Sequence, residues 1–483
     1  MAVLEQSKRD AFFIGGEWVK PSTSKRFEVI GANTGEVIGS VPEGAEADID
    51  RAVVAARAAF NGPWGRTTGT ERSALINRFA DAIEKRAAEI STAVSSQNGM
   101  PISLSTQLEG AYVVGLLRYY AHMASTMQFE ERRPSPMGFD TLVRREPLGV
   151  VGGIVPWNYP VLLSILKIGP ALVSGCTLVL KPSPGTVLDS YIVAEAAQEA
   201  GIPAGVINWV PGDREVGAHL VSHPGINKVA FTGSTAAGRK IAEVCGRLLR
   251  PVTLELGGKS AAIILEDAEI APLLEGMGFA SFGNNGQTCA ASTRILVPAS
   301  RYDEIVDAVA GMAKSLKVGS SLDPETQIGP MASEAHRNVV ERYIAKGKTE
   351  ARLVAGGGRP KNAGNGWFVE PTVFADVDNN ATISQEEIFG PVLSIIKYQD
   401  EDDAVRIAND SDFGLGGTVW SKDSLHAQDV ARRVQTGSIG VNGYMLDINA
   451  PFGGVKASGM GRELGPESLN SYLAYKSVYL PAG

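Results

Sequence analysis

From residue 150 to residue 249 the chain alternates short, continuous apolar runs with helical segments. Apolar runs lie at 150–155, 177–180, 206–210 and 228–231, and helical patterns fill the gaps up to 173, from 186 to 200, briefly after 210, and from 234 to 249. A strand that is apolar throughout, instead of alternating, is buried on both faces, and strands separated by helices pair in parallel. The pattern therefore points to a parallel sheet covered by helices on both sides, in which a ligand sits beyond the carboxyl ends of the strands. A second alternation follows, with strand candidates at 261–265, 293–297, 392–398, 416–420 and 438–441 and helices at 302–316, 335–347 and 425–434. Ahead of both, β-like stretches at 12–19 and 27–31 precede helical patterns at 48–60, 71–96 and 104–127, broken at Gly62, Pro63 and Gly99. A polar stretch at 130–136, a strand at 141–145 and an alternating tail at 471–480 stand apart, the tail reading as a strand that pairs with another chain.

With 483 residues the chain exceeds one compact core, so two or three domains are expected. Net charge is −8 and no long basic run appears, which argues against nucleic acid as a partner. The first thirteen residues carry charges where a secretory signal needs an apolar core. The longest apolar stretch, 150–180, is interrupted by Pro156, Asn158, Pro160, Lys167 and Pro170, so it is not a membrane helix. Three cysteines, Cys176, Cys245 and Cys289, are too few and too far apart for a disulfide framework or a CxxC metal site. A reducing, cytoplasmic setting is expected. The five histidines, His122, His219, His223, His336 and His426, lack HExxH spacing and a nearby cysteine, so no metal is expected.

Several turns carry chemistry. After the run at 228–231, Gly233-Ser234 opens a helix, and a helix start offers free N–H groups and the positive dipole end to a phosphate. The spacing departs from GxGxxG and from the P-loop, so taken alone it is equally a plain strand–helix turn. Lys181, in Lys181-Pro182-Ser183-Pro184, ends the neighbouring strand at the same sheet edge. It is either a solvated lysine or part of a dinucleotide site. Cys289 follows the polar turn Gly283-Asn284-Asn285-Gly286-Gln287-Thr288, whereas Cys245 is in step with Ile241 and Leu248 and reads as core. Glu255 is flanked by Leu254 and Leu256. A carboxylate there either pairs, for instance with Lys259, or has a raised pKa and serves as a general base. Asn158, in Pro156-Trp157-Asn158-Tyr159-Pro160, is a turn former or an amide donor to an oxyanion.

Together these segments resemble the aldehyde dehydrogenase superfamily. The resemblance rests on Pro156-Trp157-Asn158, Lys181-Pro182-Ser183, Phe231-Thr232-Gly233-Ser234-Thr235, Leu254-Glu255-Leu256-Gly257-Gly258-Lys259, Gly286-Gln287-Thr288-Cys289, Glu387-Ile388-Phe389-Gly390-Pro391 and Pro451-Phe452-Gly453-Gly454, in the family's order across nearly the whole chain. It implies an α/β fold: a Rossmann-like cofactor domain (1–128 and 149–257), an α/β catalytic domain (258–460) and a small β oligomerisation arm (129–148 and 470–483), assembled as a homodimer or homotetramer. It further implies that Cys289 attacks an aldehyde, that Asn158 and the Cys289 N–H hold the oxyanion, and that Glu255 activates water to hydrolyse a thioester.

By the same resemblance NAD is the expected cofactor. Lys181 would reach the adenine ribose, Ser234 the pyrophosphate and Glu387 the nicotinamide ribose, with Phe389 beside the nicotinamide. Val155, Pro156, Trp157, Ser183, Pro184, Gly212, Phe231, Thr232, Gly233 and Leu256 complete the cofactor set. Two departures bear on the choice of cofactor. Pro184 stands where many NAD-preferring relatives have an acid that repels the extra phosphate of NADP, which leaves NADP open. Arg214 stands where relatives often have a small residue, and it meets either the adenosine end or solvent. The aldehyde tunnel would be lined by Tyr159, Leu163, Leu166, Leu446 and Phe452. That lining is apolar, without the aromatic box a quaternary ammonium needs, so an aliphatic, terpenoid or aromatic aldehyde is expected.

Three rival readings remain at this point. Acylating relatives that pass the acyl group to coenzyme A generally lack the base, so Glu255 argues against them. A cysteine hydrolase needs a histidine partner for Cys289, and no motif supplies one. A non-catalytic structural or NAD-binding protein on the same scaffold would not need Cys289, Glu255 and Asn158 together.

Overall fold

The structure, a computed structural model, describes residues 7–361 and 364–481. Residues 1–6 of the expected cofactor domain, 362–363, and 482–483 of the expected arm lie outside the described residues.

The first alternation folds into the core of an eight-stranded sheet. Its five central strands, Val252–Glu255, Lys228–Thr232, Val150–Ile154, Thr177–Lys181 and Ile207–Trp209, are parallel in that spatial order. The second to fourth of these are buried at every position, as continuous apolar runs require. Helices Pro160–Ser174 and Leu188–Glu199 cover the sheet on one side, packed with Gly69–Lys85 and Tyr112–Thr126 in the largest apolar cluster. Glu46–Asn61 and Arg214–Ser222 lie in a second cluster against Val150, Val179 and Val229. The chain lays down strands on one side of Val150–Ile154 and then returns to add Lys228–Thr232 and Val252–Glu255 on the other. This reversal opens a crevice at the carboxyl ends of those strands. Antiparallel strands close both edges, Phe12–Ile14 beside Ile207–Trp209 and Gly459–Met460 beside Val252–Glu255.

The second alternation forms a seven-stranded sheet in the order Arg352–Ala355, Thr372–Ala375, Val392–Tyr398, Ser292–Pro298, Ser260–Ile264, Gly417–Trp420, Gly440–Val441. It is parallel except at its first pair. Five of these strands coincide with apolar runs read from sequence. Arg352–Ala355 and Thr372–Ala375 lie outside those runs. The helical pattern at 71–96 is two helices, Gly69–Lys85 and Ala87–Asn98, hinged at Arg86 with φ −106° and ψ 4°. The pattern at 104–127 contains a π-helical turn, Thr106–Ala111, ahead of Tyr112–Thr126.

Outside both sheets, Leu473–Tyr479 pairs antiparallel with Asp140–Pro147, which pairs with Glu130–Pro134. Apart from Leu473 this ribbon carries no fully buried side chain. Among the described residues no helix is long and apolar enough to cross a membrane.

Candidate active site

A cavity of about 220 Å³ opens at the crevice between the two sheets. One wall is the turn after Val150–Ile154, with Pro156, Trp157 and Asn158. The next is the turn after Lys228–Thr232, with Thr232, Gly233 and Ser234, followed by Glu255 and Leu256 at the end of the outer strand. Cys289, Glu387 and Phe389 reach it from the second half of the chain. The three residues expected to do chemistry thus share one cavity with eight of those expected to hold cofactor. Gly257, part of the Leu254–Lys259 motif but given no role from sequence, lines it as well.

The turn bearing Asn158 is fixed from both ends. Its backbone carbonyl accepts from Asn98 Nδ2 at 3.0 Å and Asn284 Nδ2 at 2.9 Å. Its own amide donates to Gln287 O at 3.0 Å, one of its two hydrogens. The helix that follows, Pro160–Ser174, has no side-chain cap of its own. Instead the fully buried Glu109, from the π-helical turn, accepts from Val161 N at 2.7 Å and Leu162 N at 3.2 Å. Nothing adjacent to the Asn158 motif in sequence points to Glu109.

Cys289 follows a turn that ordinary residues avoid. Asn284 and Asn285 have φ of 53° and 61°, and Gly286 has φ 75°. Asparagine tolerates this region because its short side chain hydrogen-bonds locally or to nearby backbone. Asn285 Nδ2 donates to Gly99 O and Pro330 O, each at 2.9 Å, and its Oδ1 accepts from Gly329 N at 2.7 Å. Gln287 Oε1 accepts from Ala332 N at 2.9 Å. The turn is therefore bolted to two distant loops. The Cys289 thiol is partly buried, and its pKa is pushed up to about 12 by burial and then by the negative charges of Glu387 and Glu255. Cys176 and Cys245 are buried in apolar surroundings, as expected of Cys245.

Glu255 is 2 % exposed, and among the described residues neither carboxylate oxygen has a hydrogen-bond partner of good geometry. Burial, reinforced by Glu463, raises its pKa well above the ordinary carboxylate range, and Lys167, Arg462 and the Gly454 amide only partly oppose this. The pairing with Lys259 allowed by the sequence is absent. Lys259 Nζ is itself buried without a partner among the described residues, its pKa lowered to about 7 by burial and the neighbouring Arg294.

Ser234 caps helix Thr235–Arg247, its hydroxyl accepting from Ala237 N at 3.3 Å. A Cβ on Gly233 would lie 2.5 Å from the Phe231 ring, so the buried Phe231 shapes the turn without lining the cavity. Lys181 is 7 % exposed, donates to Gly212 O at 2.7 Å, and has its pKa lowered to about 8 by burial. Lys181, Ser183, Pro184 and Gly212 are not among the residues lining this cavity, and Val155 is buried. Arg214 is exposed at the start of its helix. Glu387 Oε1 accepts from Gly258 N at 3.0 Å, and burial raises its pKa to about 7. Phe389 sits at φ 60°, its ring edge-on to Trp157 with centroids 5.4 Å apart. Its carbonyl bonds His336 Nε2 at 2.6 Å. His336 was missed from sequence because its partner lies 53 residues on, with no motif linking them.

On the other side of Cys289, Tyr159, Leu163, Leu166 and Phe452 are buried in one apolar cluster, and Cys289, Tyr444 and Leu446 pack against it. Leu446 and Phe452 also line a second cavity beside Tyr444. The Tyr159 hydroxyl lies 2.7 Å from that of Thr288, next to the thiol, and Tyr112 donates to Leu446 O at 3.2 Å. Tyr112 and Tyr444 join the expected set only through the fold, and Thr288, quoted in the Cys289 motif without a role, joins it through its contact with Tyr159.

The chain matches the profile of the aldehyde dehydrogenase family over residues 18–478. It is 62 % identical over 469 residues to geranial dehydrogenase of Castellaniella defragrans, covering 97 % of this chain and 98 % of that one. Its fold superimposes on Mycobacterium tuberculosis aldehyde dehydrogenase complexed with NAD+ at a TM-score of 0.97, with 48 % identity over 99 % of both chains. It also superimposes on a Pseudomonas syringae aldehyde dehydrogenase C variant complexed with NAD+ and octanal, at a TM-score of 0.94 and 38 % identity over 97 % of this chain and 96 % of that one. A family profile spanning residues 18–478, together with relatives and solved structures matched over nearly the full chain, places the protein: it belongs to the aldehyde dehydrogenase family and is an oxidoreductase of that class.

Proposed function

We propose that the chain oxidises an apolar aldehyde, of terpenoid, aliphatic or aromatic class, to the carboxylic acid with NAD. The convergence of Cys289, Asn158 and Glu255 on one cavity whose other wall is a capped helix N-terminus carries this reading. The residues fit the cofactor. The amides opening helix Thr235–Arg247 suit a pyrophosphate, and Gly233 and Gly257 leave close-approach surfaces where a Cβ would collide with Phe231 or Glu387. Bound NAD supplies the hydride acceptor. The chain is divided accordingly into a cofactor domain (1–128 and 149–257), a catalytic domain (258–460) and an arm (129–148 and 470–483).

Cys289 Sγ forms a bond to the aldehyde carbon, the C=O π pair moving onto oxygen and the thiol proton passing to a base or to water in the cavity. With the thiol pKa as high as about 12, that proton leaves only when the site gains positive charge or a base accepts it. The second hydrogen of Asn158 Nδ2 and the backbone N–H of Cys289 face the resulting oxyanion. Loss of hydride turns the thiohemiacetal into a thioester. Glu255 then removes a proton from water, which attacks the thioester carbon and displaces the thiolate of Cys289. The buried Tyr159, Leu163, Leu166 and Phe452, with Leu446, exclude water and select for apolar chains. Pockets of this kind discriminate weakly between similar chains. The relative named geranial dehydrogenase supports a terpenoid aldehyde among them.

The test is absorbance of the reduced nicotinamide with a panel of aldehydes, NAD or NADP in separate assays, and no coenzyme A. Aldehyde-dependent reduction, strongest for apolar chains and lost by at least about 10³-fold in Cys289→Ala, is expected. Retention of the reaction in pure Cys289→Ala protein sinks the mechanism, and preference for charged aldehydes sinks the substrate class.

A further inference from the structure

Away from this site two helices converge on a cluster that the reaction does not use. Helix Glu46–Asn61 presents Glu46 and Asp50, one turn apart. Helix Arg214–Ser222 presents His219 and, at its C-cap, His223, also one turn apart. Both imidazoles aim Nε2 at the same carboxylate oxygen, with Asp50 Oδ1 2.7 Å from His219 and 3.3 Å from His223. The rings stand nearly perpendicular, at 85° with centroids 5.6 Å apart, so the two nitrogens approach one point from different directions. The three ligand-type atoms lie within 4.8 Å of one another. Glu46 Oε1 is 3.9 Å from His219 Nδ1, on the far side of that ring, where an outer carboxylate orients a metal-binding histidine.

We infer that Asp50, His219 and His223 form a site for one borderline divalent transition metal, of the zinc, cobalt or nickel class, which clamps helix Glu46–Asn61 to helix Arg214–Ser222. Two imidazoles with one carboxylate suit these ions, whereas calcium and magnesium prefer all-oxygen sets. Both histidines are partly exposed, so an ion has an entry path and water can fill the remaining positions. One rearrangement is required. His223 Nδ1 accepts from Gly225 N at 2.9 Å, which keeps its proton on Nε2. Coordination through Nε2 moves that proton to Nδ1 and frees the Gly225 amide, which lies in a partly exposed turn where water takes it up. The nearby Arg250 adds positive charge, but its guanidinium is committed to the carbonyls of Val221 and His223. The clamped helix also backs the cofactor side of the fold. It starts two residues after Gly212, which holds Lys181 Nζ, and a Cβ on its Gly217 would lie 3.2 Å from Lys181 Cε.

Cobalt(II) added to the full-length Cys289→Ala protein, which removes the competing thiol, tests the site by visible ligand-field absorption and calorimetry. Saturable binding of one ion per chain is expected, with a higher thermal midpoint. Affinity should fall by about tenfold or more in His219→Ala, His223→Ala and the shape-preserving Asp50→Asn, each made in that background and checked for native circular dichroism. Absence of saturable binding in Cys289→Ala, or unchanged affinity in folded His219→Ala and Asp50→Asn, overturns the proposal.

Discussion

Glu255 is held in a place where its charged form is costly, and that cost suits it to the base role proposed for it. Unpartnered at both oxygens and 2 % exposed, it binds its proton well above the ordinary carboxylate range. A step that needs the ionised form therefore speeds up as pH rises through that raised pKa. In Glu255→Gln the steady-state rate is expected to fall by about 10²–10⁴-fold and to lose this pH limb, while the first turnover still releases reduced cofactor in a burst approaching one per chain. Stopped-flow absorbance reads both, and an unchanged steady-state rate would remove Glu255 from the mechanism. Stability should move the other way. Between the unfolded pKa near ~4.3 and the raised folded value, the native state binds more protons than the unfolded one, so this group's contribution falls as pH rises. At pH values above that raised pKa, Gln at 255 removes the cost of ionising a buried carboxyl and is expected to stabilise the fold, seen as a higher midpoint in thermal melts.

At the scale of elements, the turn leading to Cys289 is built from backbone geometry that few residues permit. Gly286 combines φ 75° with a backbone so close to Gly390 that a Cβ would lie 2.3 Å from its carbonyl. Gly286→Ala is therefore expected to cost about 1–3 kcal/mol and to lower kcat far more than it raises KM for NAD, since the displaced group is the Cys289 turn rather than the cofactor wall. Equal stability and kcat in the variant would show that the turn is not strained. The same scale explains what could be read in advance. The strands at 150–154, 177–181 and 228–232 are buried on both faces, and such strands announce themselves as unbroken apolar runs. Arg86 is different, since a hinge between two helices of matching periodicity leaves the apolar pattern nearly intact.

At the scale of the whole molecule, the ribbon of Glu130–Pro134, Asp140–Pro147 and Leu473–Tyr479 ends in an edge strand with unpaired backbone groups and with Tyr475 and Tyr479 at 60 % and 73 % exposure. A long exposed edge of this kind invites pairing with a second chain. Removing residues 475–483 is expected to lower the oligomeric state measured by light scattering, with the monomer fold retained. An unchanged mass would mean that the arm does not assemble the protein.

What the sequence determined alone is whatever depends on neighbours along the chain. The α/β layers follow from apolar periodicity, and the glycine and asparagine turns from local conformational preference. Cys289 and Glu255 stand out because each departs from its own surroundings, whereas Asn158, at home in a proline-rich turn, is picked out only by the family resemblance. What only the tertiary structure decided are the partnerships across the chain. Glu109 caps the helix behind Asn158, His336 holds Phe389, Lys259 stays unpaired near Glu387 instead of neutralising Glu255, and Asp50 meets two histidines from a distant helix. The physical reason is that a buried polar group is satisfied, or left wanting, by whatever folding brings within about 3 Å of it, and separation along the chain carries almost no information about that.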